Sequence, residues 1–113
     1  MISENIMKWY DPLYFSDNLT LKMRKNIVFN ITNNICQDDI FLLILCENGS
    51  DNFRIVPAVE LLQKHYPKRE LFVIGIAKGK DEAFELVENI VREIYITDGH
   101  LHNIKGHFQS GRA

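Results

Sequence analysis

Apolar residues recur every four positions from Leu19 through Met23, Ile27 and Ile31 to Ile35, with Val28 beside them. Lys22, Arg24, Lys25, Asn26 and Asn33 fall on the other side. This period predicts an amphipathic helix, with Asp17 or Asn18 placed to cap its start. Gln37-Asp38-Asp39 then turns the chain into Ile40–Cys46, an unbroken apolar run of strand length. A second such run, 71–77, ends at the turn Lys78-Gly79-Lys80-Asp81. Runs without alternation are typical of strands covered on both faces, as in parallel sheets. Residues 53–66, FRIVPAVELLQKHY, read as a helical stretch that Pro57 could divide and Pro67 stops. From Asp81 to about Ile96 the pattern is helical again. Phe84, Val87, Ile90, Val91, Ile94 and Tyr95 share one face, the acidic positions face away, and Glu88 stands one turn before Arg92. Asp98-Gly99 ends that helix, and the alternation in 102–108 suggests a short third strand.

Helices alternating with buried strands imply crossover connections and a small parallel sheet. The expected fold class is α/β, with a compact single domain over residues 1–113. Its sheet is expected to have three to four strands, mostly parallel, with helices on both faces. Residues 1–16 form an aromatic lead-in around Pro12, and 109–113 a frayed tail.

Composition narrows the class rather than the function. The chain has 113 residues, 46% of them hydrophobic and 25% charged, which suits a globular core and excludes a disordered or collagen-like chain. Thirteen basic residues against 15 acidic ones leave a net charge of −2, without the basic excess of a general nucleic-acid binder. The charges nearly cancel because basic and acidic residues decorate different helix faces. No apolar run approaches the ~20 residues of a membrane span, and the first residues do not form a signal peptide. Cys36 and Cys46 read as reduced thiols, because a strand over 40–46 separates them by about 20 Å. A cytoplasmic location is therefore expected. The N-x-S/T triplets at Asn18, Asn30 and Asn48 follow from Asn-rich composition.

Candidate chemistry concentrates in three places. In a parallel sheet the loops after the two strands would meet at one edge. That would bring Glu47, Asn48, Ser50 and Asp51 to Lys78 and Lys80 as a ligand-binding cleft for a small anion. Asp51 and Asp81 are also natural helix caps. The run GIAKGK is not a phosphate-binding P-loop: three residues, not four, separate Gly75 from Gly79, and Asp81 follows Lys80 where a hydroxyl is required. Asp98, His100, His102 and His107 are weak metal-ligand candidates, because they lack a helical ligand spacing. No cofactor motif is present. Cys46 lies beside Glu47, which disfavours a thiolate, and no G-x-S-x-G elbow occurs. Asp38 and Asp39 read as turn residues, while Lys64, Lys68 and Arg69 read as a solvated helix end. Trp9, Tyr10 and Tyr14 are candidate interface anchors, being of types favoured in protein contacts.

Two stretches carry a resemblance. DPLYF at 11–15, with the basic amphipathic helix after it, and ELLQKHYPKRELFVIGIAKGKDEAFELVENIVREIY at 60–95 resemble a group of short bacterial proteins, chiefly from Firmicutes, whose activity is uncharacterised. The resemblance covers about half of the chain; the ENGSDN loop and the histidine-rich tail match poorly. It implies a bacterial cytosolic α/β protein with a short strand at 102–108, and it assigns no catalytic residue. The leading expectation is a non-catalytic module that binds protein, itself included, without nucleic acid or membrane partners. The alternative is a small anionic-ligand-binding protein or enzyme using loops 47–52 and 78–81.

Overall fold

The computed structural model describes residues 7–46, 53–62, 71–101 and 104–110. In chain order these form strand β1 (Lys8–Phe15), helix α1 (Leu21–Thr32), strands β2 (Ile40–Cys46) and β3 (Phe53–Pro57), a short 3-10 helix (Ala58–Leu62), strand β4 (Leu71–Lys78), and helices α2 (Lys80–Asp98) and α3 (Ile104–Ser110). The strands make one sheet in the order β1-β4-β2-β3.

The α/β class holds, but the sheet is mixed rather than mostly parallel. Among the described strands only β1 and β4 run parallel; β2 is antiparallel to both β4 and β3. The two apolar runs occupy the two central positions, and this is why they lack alternation. Leu42, Leu43, Ile44 and Leu45 are each at most 1% exposed, and Val73, Ile74, Ile76 and Ala77 are wholly buried. A central strand needs apolar residues on both faces whichever way its neighbours run, so its composition carries no direction.

Direction turns on residues 53–57, which form a strand instead of opening a crossover helix. Phe53, Ile55 and Val56 are β-favouring types, and Val56 is buried on the sheet face opposite to Phe53 and Ile55. Pro57 ends the ladder at the sheet edge, where a missing N–H is tolerated. The helical expectation for this stretch is thereby corrected to a strand followed by a 3-10 turn; residues 63–66 lie outside the described residues. The aromatic lead-in supplies the remaining strand, β1, on the other edge. The segment expected as a third strand near 102–108 is α3, with Ile104 and Phe108 one turn apart and both packed on the same core cluster.

Helices cover both faces of the sheet. Ile27 and Ile31 of α1 pack with Leu19, Leu42, Ile44, Val73 and Ile76 on one side. Ala83, Leu86, Ile90 and Ile94 of α2, with Phe108 of α3, pack on Leu43, Leu45, Ile74 and Ala77 on the other. Thr20, rather than Asp17 or Asn18, caps α1, its Oγ1 accepting from the Met23 N–H at 3.2 Å. α1 ends at Thr32, so Ile35 lies beyond it and is exposed. α2 begins from Gly79 without a side-chain cap, so Asp81 is a first-turn carboxylate and not the N-cap. It closes on Gly99 in the left-handed conformation (φ 80°), which a glycine adopts without Cβ strain. Arg92 donates to Asn89 Oδ1 at 3.0 Å, a different partner from the expected Glu88.

One position fixes how closely the layers approach. Buried residues of β4 switch faces between Ile74 and Ile76, and the β2–β4 register shifts there, which marks a bulge at Ile74-Gly75. A Cβ at Gly75 would lie 3.2 Å from both Cβ and the main-chain oxygen of Tyr14, and 3.3 Å from Leu86 Cδ2. β1 is held at this level by the Tyr14–Gly75 and Phe15–Ile76 pairing and by the Ser16 N–H donating to Ile76 O at 3.0 Å. Gly75→Ala is therefore expected to destabilise the fold by about 1–3 kcal/mol through overpacking. A lower urea midpoint with an unchanged slope checks this; an unchanged midpoint would show that β1 yields freely.

Candidate functional site

The carboxyl ends of β1 and β4 are adjacent and parallel, so the corner beyond them is where an α/β sheet offers a site. Ser16 is its centre and is 3% exposed. Its Oγ accepts from the Lys78 N–H at 3.1 Å and donates to Asn18 Oδ1 at 2.6 Å. Asn18 Nδ2 in turn donates to Lys78 O at 3.0 Å, and the Gly79 N–H donates to Asp39 O at 2.8 Å. Both main-chain polar groups of Lys78 are thus held by side chains from the β1–α1 connection. The polar residues of this corner terminate the sheet. Asn18 was legible only as a candidate cap and Ser16 was not singled out, since the sequence does not show that residues about 60 positions away close onto Lys78.

Lys78 and Lys80 are exposed at this corner. The parallel pairing of the two apolar runs that the sequence suggested is not formed. Ile40 pairs with Lys78 and Cys46 with Leu71, so β2 ends, at Cys46, on the opposite side of the sheet from Lys78. That removes the premise of a shared cleft. Glu47, Asn48, Ser50 and Asp51 themselves lie outside the described residues. Nearer to the lysines are carboxylates: Asp81 and Glu82 occupy the first turn of α2, where they complement the helix dipole in the place of a bound anion. A concavity between Ser16, Asp17, Glu82, Glu85 and Asn89 has a volume of about 20 Å³, room for one water molecule and not for a metabolite.

The histidine-bearing tail is assembled in part. His107 Nδ1 lies 3.0 Å from Asp98 Oδ2, a contact that joins α3 to the last residue of α2. The imidazole also sits edge-on to Phe108, with ring centroids 5.1 Å apart. His100 is exposed, and His102 lies outside the described residues. Among the described residues no group of three or more His, Cys, Asp or Glu side chains is placed to hold a metal ion. The Asp98–His107 pair docks α3, and Phe108 behind it is 1% exposed.

The aromatic lead-in is used within the molecule. Trp9 is half-buried against the α1-side core. Tyr10 stacks on Tyr14 at 6.2 Å and meets Phe108 edge-on at 4.9 Å. Tyr14 donates its hydroxyl to Glu93 of α2. These anchors bind the edge strand to both layers, so the free surface expected of them is largely taken up. Cys36 is a free, exposed thiol.

Most of the large exposed apolar side chains among the described residues lie on the helices. On α2, Phe84 is 53% and Tyr95 57% exposed, in contrast to the core positions the periodicity assigned them. The helix face centred on Ala83, Leu86, Ile90 and Ile94 meets the sheet, which turns Phe84, Glu88 and Tyr95 outward with Val91 half-buried beside them. Ala83 and Leu86 are the core positions the sequence pattern passed over, because a narrow apolar stripe was widened to include two aromatic residues. No helix among the described residues is long and apolar enough to cross a membrane.

If the Ser16 corner is structural, Ser16→Ala should cost about 1–3 kcal/mol, because it strands the Lys78 N–H and removes the hydroxyl that donates to Asn18 Oδ1. Lys78→Ala and Lys80→Ala should stay within about 0.5 kcal/mol of the parent, as exposed substitutions do. Urea unfolding of the three variants measures the contrast. No protein family, curated protein or solved structure matches this chain.

Proposed function

We propose that this protein is a non-catalytic interaction module that works through the outer surface of α2. The observation that carries the reading is the stripe Phe84, Val91 and Tyr95, running beside Glu88 along a helix whose other face is already committed to the core. An exposed aromatic side chain at each end of a three-turn stripe supplies apolar anchors, and the carboxylates around it supply a polar rim. The polar corner at the sheet end supports no competing reading, since its side chains serve the backbone and its concavity admits one water molecule.

A photoreactive phenylalanine analogue at position 84, expressed in the native cell, tests this. Discrete crosslinked adducts are expected from position 84 and not from the exposed turn position 38, and Tyr95→Glu should remove them. Absence of a discrete adduct from position 84 would overturn the reading.

A further inference from the structure

The module reading leaves open what covers α2, and the present inference rests on that reading. We propose that the occupant is the outer face of α1 in a second copy of this chain, so that the protein associates head to tail.

The two helices lie on opposite faces of the sheet and carry opposite charge. α1 contains Lys22, Arg24 and Lys25 and no acidic residue. α2 contains Asp81, Glu82, Glu85, Glu88, Glu93 and Asp98 against Lys80 and Arg92. Arg24 is folded back, its Nε donating to Leu19 O at 2.9 Å and its guanidinium 4.9 Å from the centre of the Phe15 ring. Lys22 and Lys25 are therefore the outward cations of α1. They stand among the most exposed apolar side chains of that helix, Leu21 at 74% and Phe29 at 62%.

The spacing matches as well as the sign. Leu21, Lys25 and Phe29 are four residues apart, one turn each, so the stripe is apolar, cationic, apolar over about 12 Å. On α2, Phe84, Glu88 and then Val91 and Tyr95 give apolar, anionic, apolar over about 16 Å. With Lys25 set opposite Glu88, the apolar residues on either side of each charge meet apolar residues of the other helix, whichever way the helices run. An exposed ion pair alone contributes little; here it fixes register while the aromatic and aliphatic side chains are withdrawn from water. Two copies of α1 would instead bring only cations together, and two copies of α2 mostly carboxylates, with the exposed Arg92 one turn from Glu88 as the nearest counter-charge. Because the complementary faces lie on opposite sides of one chain, the contact is heterologous: each addition leaves one α1 face and one α2 face open, which builds rings or linear chains.

Sedimentation velocity of the purified full chain across the micromolar range provides the test. The average mass is expected to rise above 13.2 kDa with concentration and to fall again in high salt, which screens the charged faces. Lys25→Glu and Glu88→Lys should each weaken association by about tenfold or more. An equimolar mixture of these two variants should recover it, since the two reversed charges then pair at one contact and the two unaltered charges at the next. Phe29→Ser and Phe84→Ser, on opposite sides of the molecule, should each abolish it, with circular dichroism melts confirming that both variants fold. If the α2 substitutions matter and those on α1 do not, or if the mixture fails to recover, the head-to-tail contact is overturned. A strict monomer that still yields the cellular adduct at position 84 overturns self-association and leaves the module standing. A strict monomer without that adduct removes both.

Discussion

The structure depends on burying β4 from both sides at once. Among the described strands it alone has a parallel neighbour and an antiparallel neighbour, and its residues Val73, Ile74, Ile76 and Ala77 are wholly withdrawn from water. Each large side chain of this kind contributes about 1.5–3 kcal/mol when fully buried. Neither face can be left bare, so one helix on each side is a requirement of the strand's composition. The bulge at Ile74-Gly75 lets this strand serve both layers. It passes a residue without a side chain where Tyr14 and Leu86 close in, and it restores alternation so that Ile76 faces α1 and Ala77 faces α2.

What could be read from the residues alone follows from this constraint. The two central strands were legible as apolar runs, and the helices α1 and α2 as periodic stripes, because burial imposes those patterns directly. Strand direction was not legible, since doubly buried residues look the same in parallel and antiparallel ladders. The edges were harder still. β3 has five residues and ends in Pro57, and β1 is interrupted between Trp9 and Tyr14, so neither presents a clean alternation. In α3, the spacing of Ile104 and Phe108 fits one helical turn as well as two positions on the same face of a strand. The premise of the candidate cleft was a parallel pairing of the two apolar runs, whereas β2 runs against β4, so the two strands end on opposite sides of the sheet. At the end of β4, Lys78 and Gly79 meet Ser16, Asn18 and Asp39, which only the fold brings near.

Polar residues at such a corner serve either a ligand or the backbone, and the geometry here separates the two. A ligand site leaves donors and acceptors aimed outward into a cavity. In this chain the Ser16 hydroxyl and the Asn18 amide are turned inward onto Lys78, and they close the end of β4. The same holds for Asp98 and His107, whose contact fastens α3 over the aromatic cluster formed by Tyr10, Phe53 and Phe108. Interactions that could be mistaken for catalytic pairs thus fasten the end of the central strand β4 and the short helix α3.

Surface chemistry then carries the functional argument, and the net charge takes on a different meaning. A value of −2 means that two copies repel each other only weakly, so long-range electrostatics does not oppose association. Within that total, α1 carries three cations and no carboxylate while α2 carries six carboxylates against two cations, and the sheet holds the two helices apart. Had the acidic and basic residues been mixed on each helix, each face would be neutral and would discriminate poorly between partners. In the proposed contact the cations of α1 attract the excess of carboxylates on α2, while two α1 faces repel, which favours the heterologous pairing. In the proposed head-to-tail contact the exposed apolar residues Leu21, Phe29, Phe84 and Tyr95 set the gain in free energy, and the charge pattern decides which faces share it.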